Sequence, residues 1–159
     1  MVYVRRRGTA IVESASGILV VSKDGRVFTL PGGGARPDES DKDAVIRELK
    51  EETGLDATGA VYLFEFLGQT HTGPRGGIFR NIHRVFLTEA RGVPNPSREI
   101  KKVAYYTGSQ PTLTFSARRI IDRYQATRPR AAPNEEGSGR VRRAGRDLTG
   151  GNERMTTNP

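Results

Sequence analysis

Short apolar segments separated by turn-forming residues occupy most of this chain. Runs rich in Val, Ile, Leu, Phe and Tyr that are bounded by Gly, Asp, Ser or Pro are typical of β-strands. Where glycine and polar residues interrupt the pattern, at 31–34 and 68–77, we expect breaks in regular structure. The pattern predicts strands at Tyr3–Val12, Ile18–Ser22, Val27–Leu30, Ala60–Leu67, Ile78–Thr88 and Lys102–Thr107.

Two other segments repeat apolar residues at helical spacing. Asp41–Thr53 follows Ser40, which suits an N-cap, and precedes Gly54, which suits the position after a helix end. Ser116–Gln125 carries apolar residues at i, i+3, i+4 and i+7. Two helices among several strands are too few for a doubly wound parallel sheet. We therefore predict an α+β fold, in which a mixed sheet is covered by helices on both faces.

The last segment of the chain differs in composition from the rest. Residues 128–159 are rich in Gly, Pro and Arg and poor in apolar side chains, whereas the whole chain of 159 residues is 35% hydrophobic. Such a segment buries too little apolar surface to offset the entropy of ordering it. We expect one domain at 1–127 and a disordered basic tail at 128–159.

Several functional classes are excluded by composition. The chain contains no Cys, so disulfide scaffolds, thiolate zinc sites and cysteine nucleophiles are ruled out. Its longest apolar runs are far shorter than a membrane span, and no apolar core follows the basic residues near the amino terminus. We expect a soluble cytoplasmic protein that does not associate with membranes.

The charge pattern favours phosphorylated partners. The formal net charge is +8 and the pI is about 10.3, which suits nucleotides, polyphosphates or nucleic acid. For the arginine-rich tail we expect at most weak electrostatic contact with nucleic acid. The segment Gly33–Leu55 is acidic against this trend, and its acids include Glu48, Glu51 and Glu52.

Those three glutamates share one face of the predicted helix. Their spacing of i, i+3 and i+4 brings the carboxylates of Glu48, Glu51 and Glu52 close together, where they repel one another unless a cation joins them. Mg²⁺ prefers oxygen ligands and commonly bridges carboxylates to substrate phosphates. Spacing alone leaves two interpretations open, a divalent-metal site and a solvent-exposed helix face rich in Glu and Lys.

A longer pattern surrounds the three glutamates. Gly33 is followed by five residues, Glu39, seven residues, and then Arg47-Glu48-Leu49-Lys50-Glu51-Glu52-Thr53-Gly54-Leu55. This segment resembles the Nudix box, G-x5-E-x7-R-E-U-x-E-E-x-G-U with U apolar, at every fixed position. The resemblance implies an α/β/α sandwich that uses Mg²⁺ or Mn²⁺ to hydrolyse a small-molecule diphosphate, a nucleoside diphosphate linked to another moiety.

The resemblance also implies roles for individual residues. Glu48, Glu51 and Glu52 are expected to ligate the metal, with the backbone carbonyl of Gly32 as a further ligand. Arg47 is expected to orient the glutamates, and Glu39 to support the metal site. Two residues are candidates for the general base that accepts a proton from the attacking water, Glu48 and Glu99.

Cations outside the Nudix box are candidates for binding the substrate phosphates. Arg5 and Arg7 precede the triple glycine, Arg36 lies at the expected mouth of the site, and Arg80 follows the glycine-rich loop. Substrate motifs known elsewhere in the family are not evident here. The segment about sixteen residues beyond the box (Thr70 to Thr72) holds no proline or tyrosine, which weakens an ADP-ribose or diadenosine polyphosphate interpretation.

Three functions remain open from the sequence. A nucleotide pyrophosphohydrolase, such as an enzyme that removes unwanted nucleoside triphosphates, is the preferred one. The alternatives are a diphosphoinositol polyphosphate phosphohydrolase and a non-catalytic Nudix-like module that binds nucleotides or RNA. The retained box acids favour hydrolysis over binding alone. Many Nudix proteins dimerise, so the resemblance also leaves a homodimer open.

Overall fold

The computed structural model describes residues 1–128, which form seven strands and two helices. In chain order they are β1 (Val2–Ile11), β2 (Glu13–Ser14), β3 (Gly17–Ser22), β4 (Gly32–Gly34), α1 (Asp41–Thr53), β5 (Asp56–Thr72), β6 (Ile78–Arg91), β7 (Lys102–Tyr106) and α2 (Phe115–Thr127).

The strands of this region form two sheets. One has the order β4-β1-β6-β5 and is mixed, because β1 runs parallel to β6 while the other pairs are antiparallel. The second has the order β2-β3-β7 and is antiparallel. The predicted α+β class with a mixed sheet is confirmed.

Apolar side chains alternate between two hydrophobic clusters on opposite faces of the strands. On β1, Ala10 joins the cluster that contains Val45 and Leu49 of α1, whereas Ile11 joins the cluster that contains Ile120 of α2. Successive residues of a strand point to opposite faces. The two helices therefore cover opposite faces of the sheet layer, which is the predicted sandwich.

Helix α1 has the predicted bounds. The Ser40 side chain accepts a hydrogen bond from Asp43 N at 3.0 Å, and Gly54 adopts the left-handed conformation with φ 74°. The Gly54 N–H donates to the Lys50 carbonyl at 2.9 Å. Both ends are thus fixed by local contacts that the sequence encodes.

The structure corrects one predicted strand and two predicted breaks. The segment Val27–Leu30 makes only isolated bridges, Val21 with Thr29 and Phe28 with Leu113. The triple glycine, where a break was predicted, forms strand β4. These glycines have no side chains, so their backbone can pair closely with β1. Strand β5 continues to Thr72, so the loop expected at 68–77 is only 73–77.

The predicted tail lies almost entirely outside the described residues. Its first residue, Arg128, lies at the carboxyl end of α2 and pairs with Glu13. Among residues 1–128 no helix is long and apolar enough to cross a membrane.

Gly8 allows α1 to approach β1 closely. A β-carbon at this position would lie 2.5 Å from the Asp41 carbonyl oxygen and 2.7 Å from Val45 Cγ2. We expect Gly8→Ala to lower the free energy of unfolding by about 1–3 kcal/mol, because the helix must move away from the sheet. Urea denaturation measures this loss. Gly59→Ala is the matched control, since its new methyl group would meet only Glu89 Oε2 at 3.9 Å; equal losses in both variants would contradict the prediction.

Candidate active site

The acidic face of α1 meets the sheet at strand β4. A β-carbon on Gly33 would overlap the Glu48 side chain, so glycine is needed for the carboxylate to lie against this edge. The Gly32 N–H donates to Glu52 Oε2 at 3.0 Å. Strand β4 therefore leaves room for Glu48 and holds Glu52 at the sheet edge.

Arg47 connects three of the predicted carboxylates. Its Nε and Nη2 donate to the two oxygens of Glu39 at 2.7 and 2.9 Å. Its Nη1 donates to Glu48 Oε1 at 2.7 Å and to Glu51 Oε2 at 3.2 Å. These hydrogen bonds from Arg47 lower the pKa of Glu39 to about 2. They also raise the pKa of Arg47. The guanidinium thus offsets the repulsion among the acids and fixes their orientation.

Glu52 is buried, with 7% of the residue exposed. Burial raises the pKa of this carboxyl to about 7, against the opposing hydrogen bond from Gly32 N–H. A carboxylate held in such surroundings is stabilised by a nearby positive charge.

Two adjoining cavities share the side chains of Glu48, Glu52 and Glu99. The larger has a volume of about 420 Å³ and the smaller about 370 Å³. The larger is also lined by Arg7, Lys23, Thr29, Asn81, His83, Thr114 and Ser116. The smaller is also lined by Arg36, Arg47, Glu51 and Arg98.

The donor atoms at these cavities suit a hard divalent cation. Glu48, Glu51 and Glu52 supply carboxylate oxygens, the ligand type that Mg²⁺ and Mn²⁺ prefer. As they stand, no three Asp, Glu or His side chains within residues 1–128 converge on one point where they could hold a metal ion. Glu51 is paired with Arg47 and Arg98, so a metal would have to compete with these arginines for its oxygens.

Arg7 reaches the larger cavity, as its predicted role in substrate binding requires. Its Nη2 donates to the Gly32 carbonyl at 2.5 Å, the atom predicted as a further metal ligand. Its Nε is buried and has no hydrogen-bond partner. Burial lowers the pKa of Arg7, although Glu52 and Glu48 oppose that effect. Arg7 is therefore a cation with unused donor capacity beside the acids.

The other predicted substrate-binding arginines lie in three different places. Arg36 lines the smaller cavity, with Nη2 3.7 Å from Glu51 Oε1. Arg5 lines a separate surface depression that also contains Arg36. Arg80 lines none of these cavities, and its Nε donates to the Gly68 carbonyl at 2.9 Å. The next residue of β6, Asn81, lines the larger cavity, and successive residues of a strand point to opposite faces. This placement gives no support to a role for Arg80 in substrate binding.

Glu99, predicted as a candidate base, projects into the site from the loop between β6 and β7. Hydrogen bonds from Asn95 N to the Thr53 carbonyl at 2.9 Å and from Ser97 N to the Glu52 carbonyl at 3.1 Å anchor this loop to the end of α1. The Glu99 carboxylate pairs with Lys23. It therefore faces the acidic helix across both cavities.

Sequence reasoning missed several residues of the cavity walls. Asn81 and His83 alternate along β6 on the same face as Arg7 and Thr9, and a period of two is the signal that identifies them. Lys23 and Arg98 lie in loops, where no local pattern indicates them.

Comparisons with known proteins agree with this geometry. The sequence model of the NUDIX domain family matches residues 3–124. An ADP-ribose pyrophosphatase of Methanocaldococcus jannaschii is 30% identical over 120 residues, covering 72% of this chain and 69% of that protein. An RNA pyrophosphohydrolase of Hydrogenovibrio crunogenus is 42% identical over 50 residues, covering 25% of this chain and 30% of that protein.

Solved structures show the same fold. A Nudix hydrolase family member from Chromobacterium violaceum superimposes with a TM-score of 0.65 at 36% identity, covering 85% of this chain and 82% of that one. A MutT Nudix hydrolase from Burkholderia pseudomallei gives a TM-score of 0.60 at 22% identity, covering 75% and 96%. The second likeness concerns the fold alone.

His83 makes the free energy of unfolding depend on pH. Its ring accepts or donates a hydrogen bond with Thr9 Oγ1 at 3.0 Å. Burial, with a smaller contribution from Arg7, lowers the pKa of His83 from 6.5 to about 4. The unfolded chain thus binds this proton more readily, so stability is fully present above pH 6.5 and is lost as the pH falls towards 4.

We expect His83 to contribute up to about 3 kcal/mol to the pH dependence of the free energy of unfolding. Chemical denaturation at a series of pH values measures it. His83→Gln removes the titrating group, so its stability falls less steeply between pH 7 and pH 4 than that of the wild type. His71→Gln, at an exposed position, should retain the full slope. Parallel curves for wild type and His83→Gln would contradict the assignment.

Proposed function

Because this chain belongs to the Nudix hydrolase family, we propose that it hydrolyses the diphosphate bond of a nucleoside diphosphate linked to another moiety, with Mg²⁺ or Mn²⁺ as cofactor. One observation carries the proposal. Glu48 and Glu52 line cavities that are also lined by exposed or half-buried cations, so one region offers metal ligands and phosphate-binding groups together.

Glu48, Glu51 and Glu52 are the residues that would hold the metal, with the Gly32 carbonyl as a further ligand. A divalent cation at such a site withdraws charge from phosphate oxygens and lowers the pKa of a bound water. Arg47 is a positioning residue in this proposal, because its hydrogen bonds to Glu39, Glu48 and Glu51 set the directions of the carboxylates.

Glu99 is the better candidate to accept the proton of the attacking water. Glu48 Oε1 is already engaged by Arg47, and Glu48 is also a proposed metal ligand. Glu99 lines both cavities from the opposite wall and is paired only with Lys23 among the described residues. Arg7 lines the larger cavity and Arg36 the smaller one, and in this proposal both bind the phosphates and offset the charge of the leaving group.

The activities for which the relatives are named favour nucleotide substrates. One is named for the hydrolysis of ADP-ribose and the other for that of an RNA pyrophosphate. Both activities cleave a diphosphate attached to a nucleoside, which supports this class for our chain. The diphosphoinositol and non-catalytic alternatives are outcomes of the screen below. A homodimer and contact between the tail and nucleic acid stay predictions.

A substrate screen tests the proposal directly. Purified protein is incubated with Mg²⁺ and, in separate reactions, with nucleoside triphosphates, ADP-ribose, nucleotide sugars, dinucleoside polyphosphates, 5′-triphosphorylated RNA and diphosphoinositol polyphosphates. Mass spectrometry of the products in ¹⁸O-labelled water identifies the bond that is cleaved. We expect turnover of a nucleoside diphosphate derivative; turnover of the inositol compounds alone, or of none, would contradict it.

Replacement of Glu52 tests the metal site. We expect Glu52→Gln to reduce Mg²⁺-dependent kcat by at least about a hundredfold, because the amide removes a charged oxygen ligand; this factor corresponds to ~2.7 kcal/mol of transition-state stabilisation. Glu89→Gln, an exposed change of the same chemistry on β6, should retain wild-type kcat. Circular dichroism checks that both variants are folded. Near-normal turnover by Glu52→Gln would remove Glu52 from the metal site.

A further inference from the structure

Arg98 has an unusual backbone conformation. Its φ of 57° lies in the left-handed region, and it is the only non-glycine residue with a positive φ in the described part of the chain. Such a conformation is disfavoured for residues with a β-carbon and is found preferentially at functional sites. It occurs in the loop that is anchored to the end of α1, next to Glu99.

The Arg98 side chain reaches across the smaller cavity to Glu51. Its Nη2 lies 3.2 Å from Glu51 Oε1, and Arg36 Nη2 lies 3.7 Å from the same oxygen. The other oxygen of Glu51 accepts from Arg47. Glu51, a proposed metal ligand, is therefore surrounded by three guanidinium groups.

These three arginines differ in how firmly they are held. The Arg47 side chain is 18% exposed and is also bonded to Glu39 and Glu48. The side chains of Arg98 and Arg36 are 63% and 64% exposed, and Glu51 is the only carboxylate that either one pairs with among the described residues. An exposed ion pair of this kind contributes little free energy. Arg98 and Arg36 can thus change partner at low cost.

We propose that Arg98, assisted by Arg36, is a substrate-binding residue that exchanges Glu51 for a phosphate of the diphosphate. The inference rests on the proposed function. Arg47 engages Oε2 of Glu51, so Oε1 is the oxygen left for a metal, and there a metal has to compete with Arg98 and Arg36. If a metal took that oxygen, the released Arg98 guanidinium would still line the smaller cavity, where it could donate to a phosphate of the substrate.

The charges of the two cavities are consistent with this exchange. Five acidic side chains and five basic side chains belong to the network around them, so the set is close to neutral. The acids are Glu39, Glu48, Glu51, Glu52 and Glu99, and the bases are Arg7, Lys23, Arg36, Arg47 and Arg98. A metal that binds alone has to displace a basic side chain from its carboxylate and leaves that base without a partner. A diphosphate that binds together with the metal supplies the displaced base with a new partner. Binding of the metal and binding of the diphosphate should therefore strengthen each other, as linkage requires.

Replacement of Arg98 separates this role from a structural one, because it moves two affinities in opposite directions. Mn²⁺ binding to the protein alone is measured by electron paramagnetic resonance, and binding of methylenediphosphonate, a non-hydrolysable diphosphate, is measured calorimetrically at saturating Mn²⁺. For Arg98→Gln we expect Mn²⁺ alone to bind about two- to fivefold more tightly. The variant no longer competes with the metal for Glu51, and the lost interaction has the free energy of a surface ion pair. The diphosphonate should bind about tenfold more weakly, since a charge-assisted contact is lost.

Two control variants complete the experiment. Arg91→Gln removes an exposed arginine that lines neither cavity, and both affinities should stay at the wild-type values. Arg98→Lys keeps the charge and should recover part of the diphosphonate affinity. If Arg98→Gln weakens both affinities together or changes neither, the exchange is wrong while the proposed function stands. If the wild-type protein binds no Mn²⁺ at all, the proposed function itself fails.

Discussion

The hydrogen bonds of Arg47 are the interaction on which the site depends. Three glutamates on one helical face, with a fourth from the preceding loop, place like charges within a few ångströms, and an isolated helix of this sequence would be destabilised by them. Arg47 meets Glu39 through two parallel hydrogen bonds and Glu48 and Glu51 through a third nitrogen. Its planar guanidinium fixes directions as well as charge, which a lysine at this position would not do.

Glycine determines where this charged face can be placed. The absence of side chains at Gly8 and Gly33 lets α1 pack against β1 and lets the Glu48 carboxylate lie on the sheet edge. The same edge supplies the N–H that holds Glu52 in a buried position. The acids therefore face the cavities rather than bulk solvent, and burial strengthens their interaction with any cation that enters.

Loops complete the site by supplying charge from the opposite side. Two backbone hydrogen bonds fasten the loop between β6 and β7 to the end of α1, and this loop holds Arg98 and Glu99 beside the acids of the helix. Lys23 and Arg36 come from two further loops. Five basic side chains thus line the cavities beside the acids of α1, and this balance of charge is the basis of the exchange of partners proposed for Arg98.

Elements that local interactions control could be predicted from the amino-acid sequence. The bounds of α1, the caps at Ser40 and Gly54, and the grouping of Glu48, Glu51 and Glu52 follow from contacts within a few residues of the chain. Contacts between distant segments decide that the glycines form β4, that Val27–Leu30 forms only isolated bridges, that Arg80 lines neither cavity of the site, and that Arg98 pairs with Glu51. Each of these features depends on a partner that is distant in sequence. The fold brings a hydrogen-bonding strand edge or an opposite charge to the segment, and neither produces a periodic pattern in that segment's own sequence.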